Sequence, residues 1–397
     1  MSEVKNLCAA ARKAGYKLAG MDTAQKNKLL LSMANSIEKN ASDILAANAV
    51  DCKNYASKTN ANRTFLDRLT LNKQRIKQMA DGIRAVAQLP DPVGEVVEDY
   101  ISPVNGMRIK KVRAPLGVVA VIYEARPNVT ADVAALTVKS GNACVLRGGS
   151  DAIESNRAVF KALNAGEYVR FIDSTNRADT FELLKQGEFV DLVIPRGGDA
   201  LKHFCLEHAS MPVIAAAGGN CHVYIDKSAD LEAAQKIVFN AKLQRPSVCN
   251  AMEHLIFHKA VPAHFVKGLI SELRSAGVEV LENATEQEYK TEFEALKMTV
   301  ATVGSVEEAI ARINANSTKH SEAIVTKDAA SAAKFTREVD SAAVYVNCST
   351  RFTDGFEFGL GAEIGISTQK LHARGPVALR ELTNTKYVCE GDGLIRG

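Results

Sequence analysis

Cys249 lies in the stretch Gln244-Arg-Pro-Ser-Val-Cys-Asn-Ala-Met, between a helix-like run at 231–242 and an apolar, strand-like run, His254-Leu-Ile-Phe-His258. Pro246 disfavours helix for the residue before it and has no amide hydrogen, so a turn is expected here. A cysteine on a turn presents its sulfur and leaves its backbone N–H free to meet a substrate oxygen. Covalent catalysis by a thiolate on a carbonyl carbon needs that arrangement. Alone the signal is weak, because most cysteines are small buried hydrophobes.

Other stretches carry groups that could serve such a nucleophile. Gly141-Asn-Ala-Cys-Val-Leu-Arg-Gly-Gly-Ser150 puts Arg147, Gly148, Gly149 and Ser150 at the carboxyl end of a strand, where ligands of open α/β sheets bind. Ile194-Pro-Arg196-Gly197-Gly198 repeats the theme one βα unit later, with helix N-terminal amides that can hold an anion. An ordinary strand-to-helix turn reads equally well at either place, and no G-x-G-x-x-G fingerprint is nearby. Tyr123-Glu-Ala-Arg126-Pro-Asn128 ends the strongest strand. Its arginine could meet a carboxylate or phosphate, and Asn128 could donate to an oxyanion or simply cap the next helix. His203, His208, His254 and His258 lack metal-ligand spacing, so no metal is expected.

The elements that must position these residues follow from pattern. With 397 residues, 46% apolar and 24% charged, the chain suits two or three globular domains. A net charge of +3 gives no reason to expect nucleic acid or an anionic membrane as partner. Eight scattered cysteines without C-x-x-C, no apolar leader and no run of membrane-spanning length favour a cytoplasmic protein. Residues 3–89 read as helices, the one at 24–39 entered through a capping box at Asp22-Thr-Ala-Gln25, and another starting at Ser42. Residues 99–113 read as a hairpin turning at Asn105-Gly106 in type I′ geometry. Strand–helix alternation from 116 to 216, including a strand at 213–216, predicts a doubly wound parallel sheet. A second, smaller α/β alternation runs from 221 to 346, and the chain ends in a strand at 386–389.

The runs Gly117-Val-Val-Ala-Val-Ile-Tyr-Glu-Ala-Arg-Pro-Asn-Val-Thr130, Gln244-Arg-Pro-Ser-Val-Cys-Asn250 and Val344-Tyr-Val-Asn-Cys-Ser-Thr-Arg-Phe-Thr-Asp354, with Phe358-Gly-Leu-Gly-Ala-Glu-Ile-Gly365, resemble the gamma-glutamyl phosphate reductase branch of the aldehyde dehydrogenase superfamily nearly end to end. The resemblance implies an NADPH-binding domain at 1–98 and 114–222, a catalytic domain at 223–360, and an oligomerisation hairpin and tail at 99–113 and 361–397. It implies reduction of L-glutamyl 5-phosphate by NADPH, the second step of proline biosynthesis. Cys249 matches the nucleophile and Asn128 the oxyanion donor. Gly219, Glu357 and Phe358 join the cofactor-binding set. Arg126, Arg245 and Arg351 are candidates for the substrate's carboxylate or phosphate. Where hydrolytic relatives carry a water-activating glutamate, this chain has Ala216. Arg147 and Ser150 replace the lysine and glutamate common in NAD-preferring relatives, which motivates NADPH. A homodimer or homotetramer is implied, and an association with glutamate 5-kinase is left open. The rivals are an acylating aldehyde dehydrogenase that uses coenzyme A and a catalytically silent assembly subunit.

Overall fold

The computed structural model describes residues 2–59, 61–124, 126–216 and 218–396, and the backbone alone at 63 and 64. The chain divides into two compact units: 1–215 with 360–365 and 377–397, and 216–359 with 366–376.

In the first unit the helices stand where apolar periodicity puts them. Asp22 caps the helix Thr23–Lys39 by accepting the Gln25 N–H, and the Gln25 side chain returns the bond to the Asp22 N–H. The next helix begins at Ala41 rather than Ser42, behind Asn40, which makes no side-chain cap bond. Four parallel strands lie in the order Val169–Phe171, Ala143–Gly148, Val118–Tyr123, Leu192–Arg196. Every residue of the two central strands is buried, because helices cover both faces. The strand expected at 213–216 is reduced to a single bridge, Val213 to Val193.

A three-stranded antiparallel sheet joins Val96–Ile101, Arg108–Pro115 and Thr383–Glu390. The hairpin is present, but not its type I′ turn. That turn requires positive φ at both central residues. Gly106 has φ +74° and Asn105 does not share it, so residues 102–107 form a longer loop closed by the Ser102 N–H on the Met107 carbonyl.

The second unit holds six parallel strands in the order Ala343–Val346, Ser321–Val325, Cys221–Ile225, Met252–His258, Lys297–Val303, Glu279–Leu281. Lys297–Val303 escaped the sequence reading although its β-branched residues signal a strand. Side chains alternate across the sheet with period two. Val223, Ile225, Leu255 and Phe257 pack on one face, Tyr224, Ile256, Ile324 and Phe335 on the other. Its amino end is unusually polar for an interior: His222, Glu253, His254 and Glu322 are all buried there.

Candidate active site

Cys249 is half-buried on a turn between the helix Leu231–Leu243 and the strand Met252–His258. Strands of this sheet run parallel, so a residue just before Met252 sits at their amino ends. Cys249 therefore occupies the opposite edge from the one where open α/β sheets usually bind ligands.

Both ends of its loop are clamped by one ion pair. Lys242 Nζ lies 2.6 Å from Glu253 Oε2, and both side chains are fully buried. Burial lowers the lysine and pushes the Glu253 carboxyl up to about 7. Removing one partner strands the other, so Lys242→Met is expected to cost about 3–5 kcal/mol. The pH dependence has a definite sign. A carboxyl whose folded value lies above its unfolded one binds more protons when folded, so stability falls as pH rises between the two. The variant should be least stable above pH 7 and recover toward pH 4.5, as measured by urea melts across that range.

Within the loop, Asn250 Nδ2 donates to the carbonyls of Arg351 (3.2 Å) and Thr353 (3.0 Å), and the Thr350 hydroxyl donates to the Asn250 carbonyl at 2.7 Å. The Cys249 carbonyl accepts the Cys221 thiol at 3.1 Å and is backed by Gly219. A Cβ on Gly219 would fall inside the van der Waals radius of that oxygen. His320 lies beneath, its Nδ1 at 3.9 Å from Cys221 Sγ and 2.8 Å from Ser321 Oγ. Ser321 and Tyr345 both meet the Thr353 hydroxyl at 2.6 Å. Burial raises the Cys221 thiol well above its ordinary range and pushes His320 down to about 4. Both are neutral at neutral pH, so Cys221 serves as a donor and not as a second thiolate.

Arg351 Nε donates to Gln244 Oε1 at 3.1 Å. Burial and the charge of Arg245 lower it, while Cys249 and Asp354 pull the other way. Arg245, Arg351 and Cys249 thus share one neighbourhood. Glu357 and Phe358 follow on an exposed segment, with Asp354 accepting the amides of Phe356 and Phe358 through its side chain and backbone respectively. Ala216 bridges Ser367 and offers only a methyl group. The next residue, Ala217, lies outside the described residues.

In the first unit, Arg126, Asn128, Arg147–Ser150 and Arg196–Gly198 gather at the carboxyl ends of three neighbouring strands. Glu124 lies among them, a residue the sequence reading passed over although it stands inside a quoted motif. Its side chain accepts the Gly198 N–H at 3.2 Å, and its backbone and carboxyl leave no room for a Cβ on Gly149 or Gly197. The neighbouring Ala125 lies outside the described residues. Asn128 opens the helix Asn128–Lys139 but does not cap it; its Nδ2 donates to Asp132 Oδ2 at 2.8 Å. That bond fixes the amide's orientation and uses one of its two N–H groups. Burial pushes the Asp132 carboxyl up to about 6. Arg147 is 8% exposed, bonds the carbonyls of Gly148 and Asn176, and has a buried Nε without a partner. Ser150 is exposed at the start of a short 3₁₀ turn.

His254 Nδ1 meets Thr299 Oγ1 at 2.7 Å and its ring lies on His222, which pairs with Glu322. Among the described residues no group of three or more His, Cys, Asp or Glu could hold a metal ion, and no helix is long and apolar enough to cross a membrane.

Comparison with known proteins bears on the fold and the chemistry together. The model of the aldehyde dehydrogenase family matches residues 1–288 and 280–388. A gamma-glutamyl phosphate reductase of Carboxydothermus hydrogenoformans is 50% identical over the full length of both chains. One from Heliobacterium modesticaldum is 48% identical over 97% of each. The crystal structure of gamma-glutamyl phosphate reductase from Thermotoga maritima superposes with a TM-score of 0.97 at 42% identity, covering all of both chains.

Proposed function

The chain belongs to the aldehyde dehydrogenase family and, within it, to the gamma-glutamyl phosphate reductases, and from this we propose that it reduces L-glutamyl 5-phosphate to L-glutamate 5-semialdehyde and phosphate with NADPH, in proline biosynthesis. The observation that carries the reading is a half-buried cysteine on a tightly braced turn, beside two arginines and without a water-activating carboxylate at position 216.

Cys249 attacks the acyl carbon as thiolate. The developing oxyanion takes the Cys249 backbone N–H, and Asn128 is the proposed second donor, through the amide hydrogen not given to Asp132. The C–O bond to phosphate breaks, leaving a thioester and inorganic phosphate, whose negative charge suits Arg245 and Arg351. Ala216 brings no base to activate water against the thioester. NADPH, when bound, supplies the hydride that turns the thioester into aldehyde and returns the thiolate. Arg147, Ser150, Arg196 and the Gly197 amide would hold it, with Gly198, whose N–H goes to Glu124, shaping the turn. The unpartnered Arg147 Nε and the exposed Ser150 hydroxyl fit an added phosphate group. Gly219, Glu357 and Phe358 complete the proposed cofactor set, and Arg126 remains a proposed substrate contact.

The deciding experiment runs the reaction backwards with L-glutamate 5-semialdehyde, NADP⁺ and either phosphate or coenzyme A. Turnover should require phosphate; turnover that needs coenzyme A would assign the acylating rival. Replacing NADP⁺ by NAD⁺ should lower kcat/KM roughly tenfold or more, the scale of a charge-assisted contact; equal values would remove the role given to Arg147 and Ser150. A second copy of the chain is the proposed partner of the strand Val96–Ile101, all of whose residues are exposed, Ile101 by 68%. Light scattering should find a dimer or tetramer.

A further inference from the structure

The helix Asn128–Lys139 is buried along ten of its twelve residues. Asn128 and Asp132, one turn apart on the same face, are the two left half-buried. A carboxylate packed into such a place is costly without a compensating charge. Among the described residues Asp132 has no ion pair, and the hydrogen bond of its side chain is the 2.8 Å contact from Asn128 Nδ2 to Oδ2. Gly82, in the helix Lys73–Gln88, comes alongside the other oxygen; a Cβ there would sit 3.9 Å from Oδ1. Arg196 is the charged group that bears on the carboxylate, and it does so without a hydrogen bond. Packing therefore gives no reason for an acid at this position, whereas the bond to Asn128 does.

Resting on the oxyanion role proposed above for Asn128, we propose that Asp132 is its positioning residue: the carboxylate accepts one N–H of the amide and so turns the other toward the acyl oxygen. The two ends of an asparagine amide are opposite in kind, one donating and one accepting. Turned over, Asn128 would put its carbonyl oxygen where the nitrogen now lies and would repel a developing negative charge. An ionised carboxylate only accepts, so it admits a single orientation of the amide. Once protonated it gains an O–H that can go to Asn128 Oδ1, and the selection is lost. Burial brings that change up to about pH 6, so the orientation is enforced above this value and relaxes below it.

A double-mutant cycle in the phosphate-dependent oxidation of L-glutamate 5-semialdehyde tests this, with NADPH fluorescence confirming that each variant is folded. Asn128→Ala should lower kcat by about 10²–10³, as loss of an oxyanion donor does. Asp132→Asn has nearly the same shape but can donate as well as accept, and should lower kcat roughly tenfold at about pH 8. In the Asn128→Ala background it should cost nothing further, because a residue that acts through another is not additive with it. The ratio of wild-type to Asp132→Asn activity should also shrink toward one as the pH falls through about 6. Titration of Cys249 acts on both enzymes and cancels in that ratio. Equal losses in both backgrounds would make Asp132 a structural brace and overturn the assignment, as would a ratio independent of pH, or a harmless Asp132→Asn beside a damaging Asn128→Ala. A harmless Asn128→Ala would instead refute the oxyanion role of Asn128 itself.

Discussion

Cys249→Ala is expected to abolish reduction, lowering kcat by a factor on the order of 10⁴ or more, the scale of nucleophile removal in other covalent enzymes. Binding of NADPH, followed by its fluorescence, should persist, because Cys249 is not among the residues proposed to hold it. The other cysteines set the terms of the experiment. Cys8, Cys144, Cys205 and Cys221 are buried, and burial raises each of their thiols, so none is a ready thiolate. Cys348 and Cys389 are exposed and Cys52 is half-buried, so these three can react with alkylating agents without serving catalysis. In a chain with all three replaced by serine, one equivalent of label should be enough to stop turnover. Full activity after labelling, or in Cys249→Ala, would transfer the chemistry elsewhere.

Gly219→Ala should be nearly as damaging, for a different reason. The added methyl would collide with the Cys249 carbonyl oxygen, and the residues flanking it are pinned by the Ala251 N–H on the Val248 carbonyl and the Thr350 hydroxyl on the Asn250 carbonyl. The peptide has to shift, and the Cys249 N–H proposed for the oxyanion moves with it. Loss of one such donor typically lowers turnover about 10²–10³-fold, so kcat should fall by that order while cofactor binding survives. Gly268→Ala is the matched control. It lies in the helix Ala263–Ser275 with open space around its Cα, and alanine there should raise helix stability by up to about 1 kcal/mol. A Gly219→Ala enzyme with wild-type kcat would mean that the carbonyl contact is incidental.

Much of this architecture is written locally. The capping box at Asp22–Gln25, the fully buried strands Val118–Tyr123 and Ala143–Gly148, and the turn after Leu243 follow from residue type and period, because each depends on neighbours a few positions away. Local signals misled where a turn depended on its strands. Asn105-Gly106 suits a type I′ turn, yet pairing with Thr383–Glu390 and the register of the hairpin set a longer loop.

The sequence by itself determined the family and singled out Cys249 as the proposed nucleophile with the arginines near it, since long motifs carry those. Only the tertiary structure decided what surrounds Cys249. Cys221 and His320 come from segments 28 and 71 positions away from Cys249, and no local pattern marks them. Parallel pairing brings the amino ends of their strands together, and burial then makes the thiol and the imidazole neutral. Gly219 shows the difference most plainly. Read along the chain it is a glycine suited to a cofactor; in the fold it is the surface against which the Cys249 peptide rests.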